Sequence, residues 1–198
     1  MKNIIFIHGL ESSGKGFKGV YLKKIIPEIL TPDFIEFDQK ISINDLLEKR
    51  MAQLKLILRE KDLWVLIGSS FGGLMGALYT LQNPKKVRKL ILLAPYLAPS
   101  VLDLEKYNPV DVPVIAYHGK NDDVVQFKTS REQAYKLFTN IEYNKTNDDH
   151  SLINFTKLFR RTESFYILKE FFKNWTPIFL YSHSNFYKLT IYFSIIIN

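Results

Sequence analysis

The chain of 198 residues contains no cysteine, which excludes disulfides, thiolate metal sites and a cysteine nucleophile. Long apolar runs are missing too. The first nine residues, MKNIIFIHG, hold four apolar residues in a row, too few for the apolar region of a secretory signal. No apolar run approaches the roughly 20 residues that a membrane helix needs. These absences predict a cytoplasmic protein without a membrane span.

Clustered positive charge is scarce, although the formal net charge is +7. The densest basic cluster is typical of a solvated helix end before a strand, and it consists of Lys85, Lys86, Arg88 and Lys89. No nucleic-acid-binding module accompanies this cluster. The histidines and acidic residues show no metal-ligand spacing. We therefore expect no nucleic-acid partner, no metal and no other cofactor, and the sequence carries no signal for an oligomeric state.

The composition that remains, 46% hydrophobic and 24% charged, is ordinary for a globular protein, and the length fits one compact domain. Short apolar runs alternate with helical patterns, which predicts an α/β fold with a mostly parallel sheet and helices on both faces. About six strands are predicted, at residues 3–9, 34–38, 63–70, 89–95, 113–119 and, as a more exposed edge strand, 140–146. Helices are predicted at 18–30, 43–59, 72–82, 128–138 and 151–172.

The last segment, residues 176–198, breaks this alternation. It holds six aromatic residues, and polar residues interrupt each of its apolar stretches. We therefore predict a core domain over residues 1–175, followed by an aromatic-rich C-terminal tail that is not part of the core pattern.

One short motif, Gly68-Ser69-Ser70-Phe71-Gly72, has the form G-x-S-x-G. A predicted buried strand precedes it and a helix rich in small residues follows, which is the setting of a nucleophile elbow. That sharp turn lifts a serine hydroxyl above the sheet, and glycines two residues away on either side avoid a collision. The motif therefore predicts Ser70 as a nucleophile, with Ser69 as a possible helix cap instead.

A serine nucleophile needs a histidine base and a carboxylate that orients it. Asp122 follows the predicted strand at 113–119, and His150 follows the edge strand, so both fall on loops at the carboxyl edge of the sheet, where open sheets bind ligands. We predict Ser70, Asp122 and His150 as a catalytic triad. Asp123 remains an alternative acid and His118 an alternative base.

These residues resemble a known family. The elements FIHGLESS, GSSFGG, HGKNDDVV and DDHS look like those of small, single-domain bacterial α/β-hydrolases of the esterase-like group. The resemblance implies the α/β-hydrolase fold and a serine hydrolase that cleaves small-molecule carboxylic esters or thioesters. It also implies an oxyanion hole formed by the backbone N–H groups of Leu10 and Phe71. The segment from Pro95 to Pro113 occupies the place of the family's lid, and its length of about 19 residues implies a minimal lid.

Two other functions fit parts of the sequence. Gly9, Gly14 and Lys15 match a nucleotide-binding P-loop, G-x-x-x-x-G-K-[ST], except at the last position, where Gly16 lacks the hydroxyl that reaches Mg²⁺. A binding or scaffold protein with the same fold but no turnover is the second alternative. His8 is expected to be structural, beneath the oxyanion loop.

Overall fold

The computed structural model describes residues 3–98 and 106–158. Over these residues the chain forms a five-stranded, all-parallel sheet in the order β1-β2-β3-β4-β5. The strands are β1 (Ile4–Ile7), β2 (Trp64–Ser69), β3 (Val87–Leu93), β4 (Val114–Gly119) and β5 (Ile141–Thr146). The chain therefore has the predicted α/β architecture around a parallel sheet.

Burial follows the apolar pattern of the strands. Every residue of β1 and β2 is buried, and β3 and β4 are buried at all but one position each. Edge strand β5 alternates between intermediate and exposed residues, as its polar sequence IEYNKT predicts. The sheet is thus a buried layer whose carboxyl edge carries the loops that follow each strand.

Five α-helices accompany the described strands, namely α1 (Phe17–Ile25), α2 (Ile43–Leu58), α3 (Phe71–Gln82), α4 (Phe127–Leu137) and α5 (Ile153–Leu158). The predicted helices at 43–59, 72–82 and 128–138 are confirmed within one residue at each end. Helix α2 starts where the Ser42 side chain accepts a hydrogen bond from the Asp45 N–H, at 3.1 Å. Helix α1 ends at Ile25, five residues before the predicted end at Leu30.

The predicted strand at 34–38 is wrong, so the described sheet has one strand fewer than expected. The chain pairs with β1 earlier, at Leu30, whose N–H and C=O bond to Ile4 and Phe6. Farther along, side chains bind the backbone groups that a neighbouring strand would otherwise bind. The Phe34 N–H donates to His8 Nε2 at 3.1 Å. The Ile35 N–H donates to Gln53 Oε1 at 3.0 Å, and the Ile35 carbonyl accepts from Arg50 Nε at 2.7 Å.

The predicted solvated cluster before β3 is only partly exposed. Pro84–Lys86 forms a 3-10 helix, and Lys86 pairs with Asp62 at 3.4 Å. Lys89, by contrast, lies inside β3 with only 6% of its surface exposed. Burial lowers the pKa of Lys89, and the negative charge of Glu142 opposes that shift.

Several expectations fall on residues outside the described ranges: most of the helix at 151–172, part of the segment between Pro95 and Pro113, and the tail at 176–198. The boundary at residue 175 therefore stays a prediction. None of the helices described by the structure has the length and apolarity required to cross a membrane.

Candidate active site

Ser70 stands at a sharp turn between β2 and α3. Its backbone lies at φ 52° and ψ −116°, a region that non-glycine residues rarely adopt. The turn is fastened to the next strand, because the Ser70 N–H donates to the Leu93 carbonyl at 2.9 Å. Strain of this kind persists only where the surroundings enforce it. Ser69, the alternative cap, is instead the last residue of β2.

The two motif glycines allow the backbone to pack closely around this turn. A Cβ atom on Gly68 would overlap the Gly72 carbonyl, and a Cβ atom on Gly72 would overlap the carbonyls of Ile7 and His8. Any other residue would push α3 away from β2 at the first position and away from the end of β1 at the second. The G-x-S-x-G spacing thus follows from backbone contacts on both sides of Ser70.

His150 lies between Ser70 and Asp122. Its Nε2 atom is 3.0 Å from Ser70 Oγ, and its Nδ1 atom is 2.8 Å from Asp122 Oδ2. The Asp122 side chain is fully buried, whereas 22% of the His150 side chain remains exposed. The structure thus brings together the three residues that were predicted as a triad.

The loop backbone orients the Asp122 carboxylate. Its Oδ1 atom accepts hydrogen bonds from the N–H groups of Val124, at 3.0 Å, and Val125, at 2.8 Å, which leaves Oδ2 for the two histidines His150 and His118. The alternative acid, Asp123, is exposed to solvent. The position and burial of Asp122 fit the role of the acid that orients His150.

The loops after β4 and β5 are tied together beneath His150. The Asn121 N–H donates to the Asp148 carbonyl at 3.0 Å, and a Cβ atom on Gly119 would overlap the carbonyls of Asp148 and Asp149. The Asp148 carboxylate is buried and accepts from the Phe155 N–H at 2.9 Å. These contacts fix the distance between the two loops that carry Asp122 and His150.

His118, the alternative base, is fully buried behind Asp122. Its Nε2 atom lies 2.9 Å from both Asp122 Oδ2 and the Val125 carbonyl, and its Nδ1 atom lies 2.8 Å from the Tyr143 hydroxyl. Since a carboxylate and a carbonyl only accept, Nε2 carries a proton. Burial lowers the pKa of His118, while the Val125 hydrogen bond and the charge of Asp122 oppose that shift.

This buried polar chain extends away from the pocket. The Tyr143 hydroxyl lies 3.0 Å from Ser130 Oγ, which donates to the Pro95 carbonyl at 2.7 Å. Burial raises the pKa of Tyr143, so that its hydroxyl keeps its proton. His118 therefore contacts the same Asp122 oxygen as His150 and links it to this chain.

The loop after β1 rests on His8. The Phe34 N–H donates to His8 Nε2, so that nitrogen carries no proton, and Nδ1–H donates to the Gly9 carbonyl at 2.8 Å. Burial lowers the pKa of His8, and the nearby charge of Arg50 lowers it further. His8 is thus neutral and structural, beneath the loop that was expected to carry the oxyanion hole.

A pocket of about 530 Å³ opens beside these residues, and Ser70, His150, Leu10 and Phe71 all line it. Most other lining residues are apolar, among them Phe17, Ile43, Tyr96 and Ile153. Two charged residues, Glu11 and Lys18, also line the pocket. Burial lowers the pKa of Lys18, and the negative charges of nearby aspartates, chiefly Asp148, oppose that shift. The pocket suits an apolar group next to a polar one.

Of the residues of the P-loop match, only Gly9 lines this pocket. The Gly14 N–H donates to the Asp33 carboxylate at 2.7 Å. This N–H is therefore already hydrogen-bonded within the protein and is not available to a phosphate. Lys15 is exposed and is not among the residues that line the pocket. Within the described part of the chain, no group of three or more His, Asp or Glu side chains is placed to hold a metal ion.

A family model described as alpha/beta hydrolase fold matches residues 2–113, more than half of the chain. The chain belongs to the alpha/beta hydrolase family. No curated protein matches its sequence significantly.

Solved structures similar to this alpha/beta hydrolase come from several organisms. A hydrolase of the alpha/beta superfamily from Xanthomonas campestris is 22% identical, with a TM-score of 0.70 over 85% of this chain and 99% of that one. Est1E from Butyrivibrio proteoclasticus with bound ferulic acid is 17% identical, with a TM-score of 0.67 over 86% and 90%. A monoacylglycerol lipase from Paleococcus ferrophilus is 15% identical, with a TM-score of 0.66 over 84% and 93%. At these identities the likeness shows the fold.

Sequence reasoning missed three residues that organise the site of this alpha/beta hydrolase: Arg50, Gly119 and Tyr143. Arg50 did leave a signal, because it lies four residues from both Leu46 and Leu54 on the apolar stripe of α2, and all three are fully buried. A charged residue on a buried stripe indicates a specific partner. For Gly119 and Tyr143 no pattern in the sequence distinguishes them from ordinary loop and strand residues.

Proposed function

We propose that this alpha/beta hydrolase is a serine hydrolase that cleaves a small carboxylic ester or thioester. The observation that carries the proposal is the position of His150, within hydrogen-bonding distance of both Ser70 Oγ and the buried Asp122 carboxylate. This is the arrangement in which a histidine activates a serine and a carboxylate orients the histidine. The monoacylglycerol lipase among the similar structures supports an ester bond as the target.

The reaction begins with attack by Ser70 Oγ on the substrate carbonyl. His150 Nε2 takes the serine proton, while its Nδ1–H donates to Asp122, whose negative charge stabilises the imidazolium. The carbonyl oxygen becomes an oxyanion. The proton then passes from His150 to the leaving alcohol or thiol, which leaves an acyl group on Ser70. A water molecule, activated by His150 in the same way, releases the acid.

The oxyanion would bind the N–H groups of Leu10 and Phe71. Both residues line the pocket beside Ser70, and neither N–H donates a hydrogen bond to any residue that the structure describes. Phe71 is the first residue of α3, so the helix dipole adds positive potential at its amide. Each such donor contributes about 10² to 10³ in rate.

The test replaces Ser70 with Ala and measures p-nitrophenyl butyrate hydrolysis, a thioester counterpart and labelling by a fluorophosphonate. We expect the variant to lose labelling and about 10⁴-fold or more in kcat, because the nucleophile is gone. The neighbouring Ser69→Ala variant is the matched control and should still be labelled. A wild type that neither turns over any acyl ester or thioester nor reacts with the fluorophosphonate would favour a binding or scaffold protein instead.

A further inference from the structure

Arg50 is a buried cation that has no acidic partner among the described residues. It lies in the middle of α2 with 0% of its surface exposed, and no carboxylate among the described residues forms an ion pair with it. Burial lowers the pKa of Arg50, but an arginine retains its charge in folded proteins. A buried charge costs several kcal/mol unless other groups compensate for it. The hydrogen-bond partners of Arg50 therefore indicate its role.

The three hydrogen-bond partners that Arg50 has in the described part of the chain are backbone carbonyls. Nη1 donates to Gly9 at 3.3 Å, Nη2 donates to Leu10 at 2.9 Å, and Nε donates to Ile35 at 2.7 Å. The first two belong to the loop that lines the pocket beside Ser70. The guanidinium thus holds consecutive peptide groups of one loop, a geometry that its planar fork of donors can satisfy and a lysine cannot.

The Gly9 carbonyl and the Leu10 N–H belong to the same peptide group. In a trans peptide these two groups point in opposite directions, and no cis peptide occurs among the described residues. Arg50 and His8 both donate to the Gly9 carbonyl, so together they set the direction of the Leu10 N–H. Hydrogen bonds to the carbonyl also polarise the peptide and strengthen its N–H as a donor.

Arg50 also contacts the side chain of Phe71. Its guanidinium carbon lies 5.6 Å from the ring centroid of Phe71, the residue whose N–H would complete the oxyanion hole. One buried positive charge therefore contacts the loop that carries the first donor and the side chain of the residue that carries the second. In the low-dielectric interior such a charge acts on a developing oxyanion more strongly than it would in water.

We propose that Arg50 is a positioning residue of the oxyanion hole, which fixes the Gly9–Leu10 peptide and places a buried positive charge next to it. This inference rests on the proposed serine hydrolase function. It predicts that Arg50 acts on the transition state, in which the carbonyl oxygen carries negative charge, and not on the uncharged substrate.

The experiment compares Arg50→Met, Arg50→Lys and a matched control, Arg59→Met, which removes an exposed arginine from the C-terminal end of the same helix. Active sites are counted by the end point of fluorophosphonate labelling, so that only folded enzyme enters the rates. For p-nitrophenyl butyrate we expect kcat per active site to fall about 10²-fold in Arg50→Met, with KM changed less than threefold. Arg50→Lys should fall less, because it keeps the charge, and Arg59→Met should match the wild type.

A pair of inhibitors separates this role from simple fastening of the loop. A trifluoromethyl ketone adds to the serine and forms an oxyanion, whereas the matched methyl ketone binds as an uncharged ketone. We expect Arg50→Met to weaken the first about as much as it lowers kcat/KM and to leave the second nearly unchanged. Equal losses for both ketones, or a kcat per active site equal to that of the wild type, would overturn the inference.

Three further outcomes are informative. If Arg50→Met cannot be obtained folded, the same ratio of ketone affinities in Arg50→Lys decides, and a ratio equal to that of the wild type would count against the role. If the wild type itself hydrolyses no ester or thioester and is not labelled, the proposed function fails and the role of Arg50 fails with it. A labelled, active wild type whose Arg50 variants keep their ketone ratio refutes the role of Arg50 alone.

Discussion

The two sides of the site are held in place by different forces. On the nucleophile side, Ser70 is fixed by backbone packed against backbone, with Gly68 and Gly72 where any Cβ atom would overlap a carbonyl. On the acid–base side, Asp122 and His150 are fixed mainly by hydrogen bonds from loop amides and buried polar groups. Each side also rests on a fully or almost fully buried histidine, His8 under the first and His118 behind the second.

This difference decides how visible each side is in the sequence. A steric demand for glycine leaves a fixed spacing that only one residue type satisfies. A hydrogen bond from a backbone amide does not require a particular residue type at the donor position, and many polar residues could accept it. The nucleophile side should therefore tolerate substitution least, and the acid–base side should lose chemistry before it loses the fold.

Substitution of Gly72 by Ala is the strongest test of the steric side. The new Cβ atom would overlap the carbonyls of Ile7 and His8, so we expect the free energy of unfolding to fall by about 3 kcal/mol or more. Gly76→Ala in the same helix is the control, because its Cβ atom would meet only side-chain carbons, Leu90 Cδ1 at 3.1 Å and Ile7 Cδ1 at 3.6 Å. Urea unfolding measures both variants. Equal stability of the two would contradict the steric explanation.

Substitution of Asp122 by Asn tests the acid–base side. We expect a folded protein whose kcat for p-nitrophenyl butyrate falls on the order of 10⁴-fold, because an amide does not fix the tautomer of His150. The matched control is Asp123→Asn, which removes the same charge from an exposed position one residue away. If Asp123→Asn causes the larger loss, the acid has been assigned to the wrong residue.

Most of the fold could be predicted because buried parallel strands and amphipathic helices each require a characteristic pattern of apolar residues in the sequence. The prediction failed at residues 34–38, where an apolar run lies beside β1 without joining the sheet. There, side chains of His8, Gln53 and Arg50 bind the backbone groups that a neighbouring strand would otherwise bind. Such partners come from distant parts of the chain, so local patterns do not reveal them.

The same reasoning explains what was found and missed in the candidate site. Ser70, Asp122 and His150 could be proposed because parallel strands bring their carboxyl ends to one edge, so chain order predicts proximity. Arg50 could not be placed, because its partners are backbone carbonyls, which every residue possesses. Its position on the apolar stripe of α2 marked it as unusual without indicating which loop it holds.

The smallest expected effect concerns His8 and the dependence of stability on pH. Burial lowers its pKa in the folded protein below the unfolded value of about 6.5, and Arg50 lowers it further, while the Gly9 carbonyl and Asp33 oppose the shift. The unfolded state therefore binds more protons in acid, and the free energy of unfolding should fall as the pH drops below about 6.5. Between pH 7.5 and 5.5 this loss amounts to at most about 1.4 kcal/mol.

Urea unfolding of the wild type and His8→Gln at both pH values measures the contribution, since glutamine cannot titrate. We expect the loss between pH 7.5 and 5.5 to be smaller in the variant, by at most about 1.4 kcal/mol. His118→Gln is the comparison from the other side of the site, and its effect should be smaller, because the Asp122 carboxylate beside His118 favours the protonated ring. A larger effect at His118 than at His8 would show that burial, and not the neighbouring charge, controls both histidines.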